Sequence, residues 1–230
     1  MNLNDSAIVG QLGAEARRRL SAAAEERNFR RGEALFHQGE PLKGLFILLA
    51  GRVKLSQVGP DGHETIMRLV APGDAFAAVA AFSHARSYPV SALAMTDVTL
   101  AFWPRRTAQR LVSELPELAG LLTEEISRHA QVFQQRLREV STERVSQRLA
   151  RTLLRLAGQA SRPHDAGTLI DFPLTRQDLA GLAGTTLFTV SRLLSAWSDR
   201  GILQVGRARV IIRSAPDLLM EAGGDDSPAS

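Results

Sequence analysis

The sequence predicts an α+β protein: an N-terminal antiparallel barrel or jelly roll, one long helix, and a C-terminal helical segment closed by a small hairpin. Three observations carry this. Between Arg30 and Trp103, short apolar stretches are separated by Gly and Pro turns at intervals near ten residues, the pattern of a closed or doubled antiparallel sheet. From Glu117 to Val140 the chain runs 24 residues without Pro, with Gly120 as its one Gly, and apolar side chains recur every three or four positions. After Thr175, two short amphipathic stretches flank Gly184, and two alternating strands follow.

In chain order, residues 6–28 read as a helix, with Leu12, Ala16 and Leu20 at helical spacing. Phe46-Ile47-Leu48-Leu49 is a strand closed by Ala50-Gly51, and Val53, Leu55 and Gln57 alternate with Lys54 and Ser56 in the next. Gly59-Pro60-Asp61-Gly62 turns the chain into a strand over 65–70, which Pro72-Gly73-Asp74 ends. Strands over 90–95 and 98–103 are split by Thr96-Asp97. A short helix over 107–115 stops near Pro116.

The long helix follows. Ala119, Leu122, Ile126, His129, Phe133, Arg136 and Val140 alternate by three and four, a heptad seam with Leu118, Leu121, Val132 and Leu137 beside it. At 1.5 Å rise per residue it would be roughly 36 Å long. A helix with one apolar stripe can also lie on its own domain. Its place between a β domain and a basic helical domain favours a second copy, with Leu122, Ile126, His129, Phe133 and Val140 as the interface. Residues 143–158 form another helix, 158–167 a loop and 168–172 a short strand.

Composition limits the function. The 230 residues are 44% hydrophobic and 23% charged, enough for a proper core. No apolar run approaches the roughly 18 residues of a membrane span, and the N-terminus has no basic-then-apolar leader, so the expected compartment is the cytoplasm. Cysteine is absent, which removes disulfides, thiolate zinc sites, cysteine-held iron–sulfur clusters and Cys nucleophiles. The net charge of +4 is uneven. Residues 141–213 hold eleven Arg against five acids, whereas residues 214–230 hold four acids and no base. Arg suits phosphate and guanine contacts.

The informative segment begins at Thr175-Arg176-Gln177-Asp178, which resembles a capping box with Asp in place of Glu or Gln. Leu179, Leu182 and Ala183 continue that helix, and Gly184-Thr185-Thr186 breaks it. The second helix, Leu187 to about Arg200, has an inner face of Val190, Leu194 and Trp197 and an outer face of Phe188, Thr189, Arg192 and Ser195. Strands around Gly206-Arg207-Ala208 close the segment. Helix, Gly turn, helix and hairpin make a winged helix-turn-helix, whose second helix can enter the DNA major groove. The same unit can dock a protein, but the positive charge favours DNA. The expected DNA contacts are Thr175, Gln177, Thr186, Phe188, Thr189, Ser191, Arg192, Arg207 and Arg209. Among them Arg192 would read guanine, while Thr175, Gln177, Arg207 and Arg209 would meet phosphates.

The order of β-roll, long helix and winged helix-turn-helix resembles the CRP/FNR family of bacterial transcription regulators over about residues 20–213. The matching stretches are 32–40 (Gly-Glu-Ala-Leu-Phe-His-Gln-Gly-Glu), 51–55 (Gly-Arg-Val-Lys-Leu), Pro72-Gly73-Asp74, 174–180 (Leu-Thr-Arg-Gln-Asp-Leu-Ala) and Thr189-Val190-Ser191-Arg192. The resemblance implies a β-roll sensor (1–112), a dimerisation helix (113–140) and a DNA-binding domain (141–213); the acidic composition of residues 214–230 reads as a disordered tail. The resemblance also implies a homodimer on a palindromic operator in double-stranded DNA, contact with RNA polymerase, and no enzymatic activity.

Departures from the family pattern bear on the effector. Cyclic-AMP sensors of the family carry Gly-Glu where this chain has Ala77-Ala78. Their Arg-Ser pair corresponds here to Tyr88-Pro89, with Arg86-Ser87 as a neighbouring register, and their Thr-Ser pair to Phe133-Gln134. Cyclic AMP is therefore not the expected effector. The pocket expected from the resemblance is Phe76, Ala77, Ala78, Tyr88, Pro89, His129, Phe133 and Gln134. The stretch Tyr88-Pro89-Val90-Ser91-Ala92 looks like the nitrogen-oxide-responsive branch, some members of which use haem. Haem needs an axial ligand. His129 is the first candidate; His37, His63, His84 and His164 follow, with Met67 and Met95 after them. The recognition helix has Phe188 where the family has Glu; Phe can touch a thymine methyl or pack against a neighbouring helix. Two other readings stand beside the effector-controlled one: a constitutive DNA binder with a vestigial pocket, and a cupin-like metalloenzyme, for which the His-x-His and Glu triad is missing.

Overall fold

The structure, a computed structural model, describes residues 2–60, 62–82 and 86–223. The chain forms two compact units. One comprises residues up to 57 together with 67–133, the other residues 58–66 together with 134 onward.

Helix α1 (Ala14–Ala22) precedes strands β1 (Glu25–Phe29), β2 (Ala34–Phe36), β3 (Gly44–Ala50), β4 (Val53–Val58), β5 (Glu64–Val70) and β6 (Ala75–Phe76). Helix α2 (Val79–Phe82), β7 (Ser91–Ala94), β8 (Val98–Pro104), α3 (Arg105–Glu114) and α4 (Pro116–Thr142) follow. Two four-stranded sheets form the roll, in the orders β1-β8-β3-β6 and β2-β7-β4-β5. The paired strands whose registers are resolved run antiparallel.

The apolar run in β3 has a two-sided cause. Leu45 and Ile47 join Ala101 and Trp103 of β8 in one core with α1, α3 and the start of α4. Phe46 and Leu48 point the other way and join Leu100 and Phe102 inside the roll. Successive side chains alternate faces, so a strand covered on both sides must be apolar throughout. Trp103 Nε1 donates to the carbonyl of Leu20 at 2.9 Å, fixing α1 to this face. Inside the roll, Phe36 stacks on Tyr88 with ring centroids 3.7 Å apart, and Phe46 lies 5.1 Å from Phe76 and 4.8 Å from Phe102.

The helix expected over 6–28 is shorter than its pattern suggested. Its apolar stripe ends at Leu20, and Glu25–Phe29 instead pairs along β8 as a charged edge strand. Helix α4 starts at Pro116, where the missing N–H costs no helical bond.

In the second unit, α5 (Val145–Gln159) is followed by β9 (Ser161–His164), β10 (Gly167–Ile170), α6 (Arg176–Ala183), α7 (Leu187–Asp199), β11 (Leu203–Gly206), β12 (Arg209–Ile212) and α8 (Ala215–Glu221). The sheet order is β11-β12-β10-β9. Residues 161–164, expected as loop, form β9. Its Ser-Arg-Pro-His sequence is largely exposed, so it carries no apolar alternation, and Pro163 is tolerated because the strand is an edge.

The tail expected to be disordered from residue 214 is helical over Ala215–Glu221. Ser214 caps it by accepting from the Asp217 N–H, Pro216 occupies the first turn, and Leu218 is fully buried. Arg151 Nε donates to the Ala222 carbonyl at 2.9 Å. The rest of that expectation, residues 224–230, lies outside the described residues.

Candidate functional site

The helix-turn-helix is built by local chemistry. Thr175 caps α6: its hydroxyl oxygen accepts from the Asp178 N–H at 3.0 Å, and the Asp178 carboxylate accepts from the Thr175 N–H at 3.0 Å. The hydroxyl also gives its one proton to Asp178 Oδ2 at 2.6 Å, so it has none left for a phosphate. Gly184 ends α6 at φ +60°, a left-handed conformation that a Cβ would disfavour. Thr186 then caps α7, accepting from the Thr189 N–H at 3.2 Å and sharing a hydrogen bond with the Thr189 hydroxyl at 3.0 Å. The two helices meet at 107°, within the range for this motif.

Buried Val190, Leu194 and Trp197 fix the rotation of α7. Opposite them, Phe188, Arg192 and Ser195 form its exposed face. Phe188 is 77% exposed, so it packs on no neighbouring helix. Ser191 is half-buried at the edge of this face and Gln177 is exposed on α6. Arg207 and Arg209 are exposed on the β11–β12 wing, where Ala208 takes φ +52° at the tip. Arg209 lies beside His164 of β9. Among the described residues, no acidic side chain pairs with Arg192 or Arg207.

In the first unit, the residues expected to line a pocket separate. Phe76 and Tyr88 belong to the aromatic core. Tyr88 is 2% exposed, and its hydroxyl oxygen accepts from the Lys43 N–H at 2.9 Å. Burial pushes its phenol pKa up, so it stays neutral. Tyr88 is therefore a core residue rather than a pocket wall; Arg86 and Ser87 just before it, and Pro89 just after, are exposed. Ala78 is buried, and Ala77 sits at φ +56°, a conformation that favours glycine.

A polar cluster that the sequence did not reveal lies nearby. Arg68 Nη2 is 2.8 Å from Asp74 Oδ2 and 3.3 Å from Glu125 Oε1, and its Nη1 donates to the Ala75 carbonyl at 3.2 Å. Arg128 also pairs with Glu125. His129 Nε2 is 3.0 Å from Glu125 Oε1, and its Nδ1 is 3.4 Å from Arg68 Nη1. Burial, then the charges of Arg68 and Arg128, lower the imidazole pKa to about 4. A neutral ring that donates from Nε2 and accepts at Nδ1 satisfies both neighbours. Arg68 lies far from α4 in sequence, on β5, which is why no spacing rule singled it out.

These contacts decide the haem question for His129. Both ring nitrogens already face charged partners, so neither offers a free lone pair to an axial iron site, and His129 does not fit haem. His37 and His63 are exposed, Met95 is buried, Met67 and His164 are half-buried, and His84 lies outside the described residues. No group of three His, Cys, Asp or Glu among the described residues could hold a metal ion.

The seam on α4 also changes register. Leu122 is fully buried in its own core, and Arg136 is turned toward Ile66, whose carbonyl lies 3.5 Å from Nη1. Phe133 and Val140 are each 51% exposed and Leu137 is 60% exposed. Ala130 is exposed and Ile126 half-buried. The free apolar stripe is thus Ile126, Ala130, Phe133, Leu137 and Val140, spaced four and three. His129 and exposed Gln134 flank it.

Comparison with known proteins marks the same two segments. Residues 26–114 match the family model of the cyclic nucleotide-binding domain, and residues 147–220 match that of the Crp-like helix-turn-helix domain. A CRP-like cAMP-activated global transcriptional regulator of Mycobacterium tuberculosis is 26% identical over 195 residues, covering 85% of this chain and 87% of its own. A global nitrogen regulator of Synechococcus elongatus is 28% identical over 185 residues, covering 80% and 83%. A transcriptional regulator of the CRP family from Thermus thermophilus shares the fold with a TM-score of 0.75 at 25% identity, covering 86% of this chain and 96% of that one. These relatives are transcription regulators, not enzymes. No single helix among the described residues is long and apolar enough to cross a membrane. With its β-roll and its DNA-binding helix-turn-helix, the chain belongs to the CRP/FNR family of transcription regulators.

Proposed function

We propose that the chain acts as a homodimer that reads a palindromic operator in double-stranded DNA, under the control of an effector bound to the β-roll unit. The exposed Phe188–Arg192–Ser195 face of α7, with Arg192 free of an acidic partner among the described residues, carries this reading. Arg192 and Ser191 would reach base edges, while the Thr189 hydroxyl is engaged with that of Thr186. Gln177, Arg207 and Arg209 would hold phosphates, and Thr175 would act by capping α6 rather than by touching a phosphate. The α4 stripe from Ile126 to Val140 supports the two-fold, which sets half-sites about one helical turn (~34–36 Å) apart. The operator-bound dimer would then act on transcription through RNA polymerase.

The effector in this reading is neither cyclic AMP nor an iron–sulfur cluster. Cyclic AMP requires a carboxylate for its ribose hydroxyls and a cation for its phosphate. Ala77 and Ala78 supply no carboxylate, and Arg68 is already held by Asp74 and Glu125. The chain contains no Cys to hold a cluster. Three measurements test the proposal. Selection from randomised duplexes by the full-length protein should enrich an inverted repeat; enrichment of single half-sites alone overturns the dimeric reading. Calorimetry should show no tight cyclic-AMP binding; micromolar binding that is lost in Arg86→Ala overturns the effector assignment. Operator affinity with and without a small-molecule cell extract separates a switch from a constitutive binder.

A further inference from the structure

We propose that Phe188 is a sequence reader: its ring contacts the C5-methyl group of a thymine in each half-site, within about two base-pair steps of the guanine read by Arg192. This rests on the assignment of α7 as the DNA-reading helix.

Position comes first. Val190, Leu194 and Trp197 are 0%, 1% and 2% exposed, so the rotation of α7 is fixed by the core. Phe188 lies opposite them in the first helical turn, the part of a recognition helix that reaches base edges. At 77% it is the most exposed of the large hydrophobic side chains described, and Leu187 beside it is 47% exposed. Two adjacent bare apolar side chains cost hydration free energy that a free surface does not return.

Chemistry then selects the partner. The first turn has little polar reach left, because the Thr186 and Thr189 hydroxyls are engaged with each other and with the Thr189 N–H. The exposed face has no acidic side chain before Asp199, at the far end of the helix, so no carboxylate near Phe188 can accept from a cytosine amino group. A phosphate gains nothing from a phenyl ring. The major groove presents donors, acceptors and a single apolar group, the thymine methyl, and this alone suits Phe188. Arg192 follows one turn later. Four residues advance about 6 Å along the helix, which spans about two steps of 3.4 Å base-pair rise and sets the distance from the thymine to the guanine.

The test uses the full-length protein and duplexes obtained by selection. Each thymine of the half-site is replaced in turn by deoxyuridine, which removes the methyl and keeps the pairing edge. The wild type should lose about four-fold in affinity per half-site at one thymine, as expected for one buried methyl group. Phe188→Ala should bind more weakly and be indifferent to that replacement, with unchanged thermal melting because the side chain is exposed. Phe188→Glu should shift the preference at the same position toward cytosine. If uracil is tolerated everywhere while Arg192→Ala still loses its guanine, Phe188 is not a reader and the DNA-reading assignment of α7 survives. If no sequence is enriched even at low salt, both fall.

Discussion

Arg148 Nε donates to the carbonyl of Ala183 at 3.0 Å. Its Nη2 reaches the Gly184 carbonyl at 3.2 Å and its Nη1 the Glu143 carbonyl at 2.7 Å. One buried guanidinium from α5 thus satisfies the carbonyl end of α6 and the turn that aims α7. Fork geometry makes this a task for Arg rather than Lys.

Removing that fork should therefore loosen the reading helix. Arg148→Ala should cost roughly 2–3 kcal/mol of stability, since charge-assisted bonds are lost and buried carbonyls are left unpaired. Arg148→Lys should recover only part of it. Urea denaturation measures the cost. A variant as stable as the wild type would show that the turn holds itself.

The seam on α4 makes two opposite expectations. Phe133→Glu with Leu137→Glu puts charge on the exposed stripe and should yield folded monomers by light scattering. Leu122→Ala should instead cost about 2–5 kcal/mol of monomer stability, because Leu122 fills its own core. A dimer that persists with both glutamates places the interface elsewhere.

His129 sets a pH dependence with a definite sign. Its folded pKa of about 4 lies below its ordinary value of 6.5. Above about pH 6.5 the ring is neutral in folded and unfolded chains alike, so it adds no slope. As the pH falls from 6.5 to about 4, the unfolded chain takes up the proton and the folded chain does not. Stability should fall through that window and level off below it. With a side chain 31% exposed, screening limits the effect to on the order of 2 kcal/mol. Denaturant titrations at several pH values, compared with His129→Gln, isolate the slope; equal slopes in the two proteins would contradict the assignment.

Arg192 and Arg207 should fail in different ways. Arg192→Ala should relax preference at one base pair per half-site, a discrimination of roughly 1–3 kcal/mol. Arg207→Ala should weaken all sequences alike and flatten the salt dependence by about one unit of slope. Binding selections over a salt series distinguish them. If Arg207→Ala changes base preference while Arg192→Ala does not, the wing is the reader.

Legibility followed the range of the forces involved. The Thr175–Asp178 cap, the Gly184 turn and the Val190–Leu194–Trp197 stripe are interactions between residues a few positions apart, and the spacing alone located them. The α4 seam was half legible. The heptad pattern identified an apolar helix, but several adjacent registers fitted it. Only the placement of α4 on its own core consumed Leu122, turned Arg136 inward and left Leu137 outside.

By itself, the sequence determined the order of β-roll, long helix and helix-turn-helix, the concentration of Arg around the last of these and the exclusion of cysteine chemistry. Each of these depends on composition or short-range periodicity. Tertiary structure alone decided that Glu25–Phe29 extends along β8, that Tyr88 stacks on Phe36, that 215–221 is a helix anchored by Leu218, and that Arg68, Asp74, Glu125 and His129 converge. Edge pairing, ring stacking and ion pairing join residues 50 or more positions apart in three of these four cases, and local spacing holds no record of such contacts.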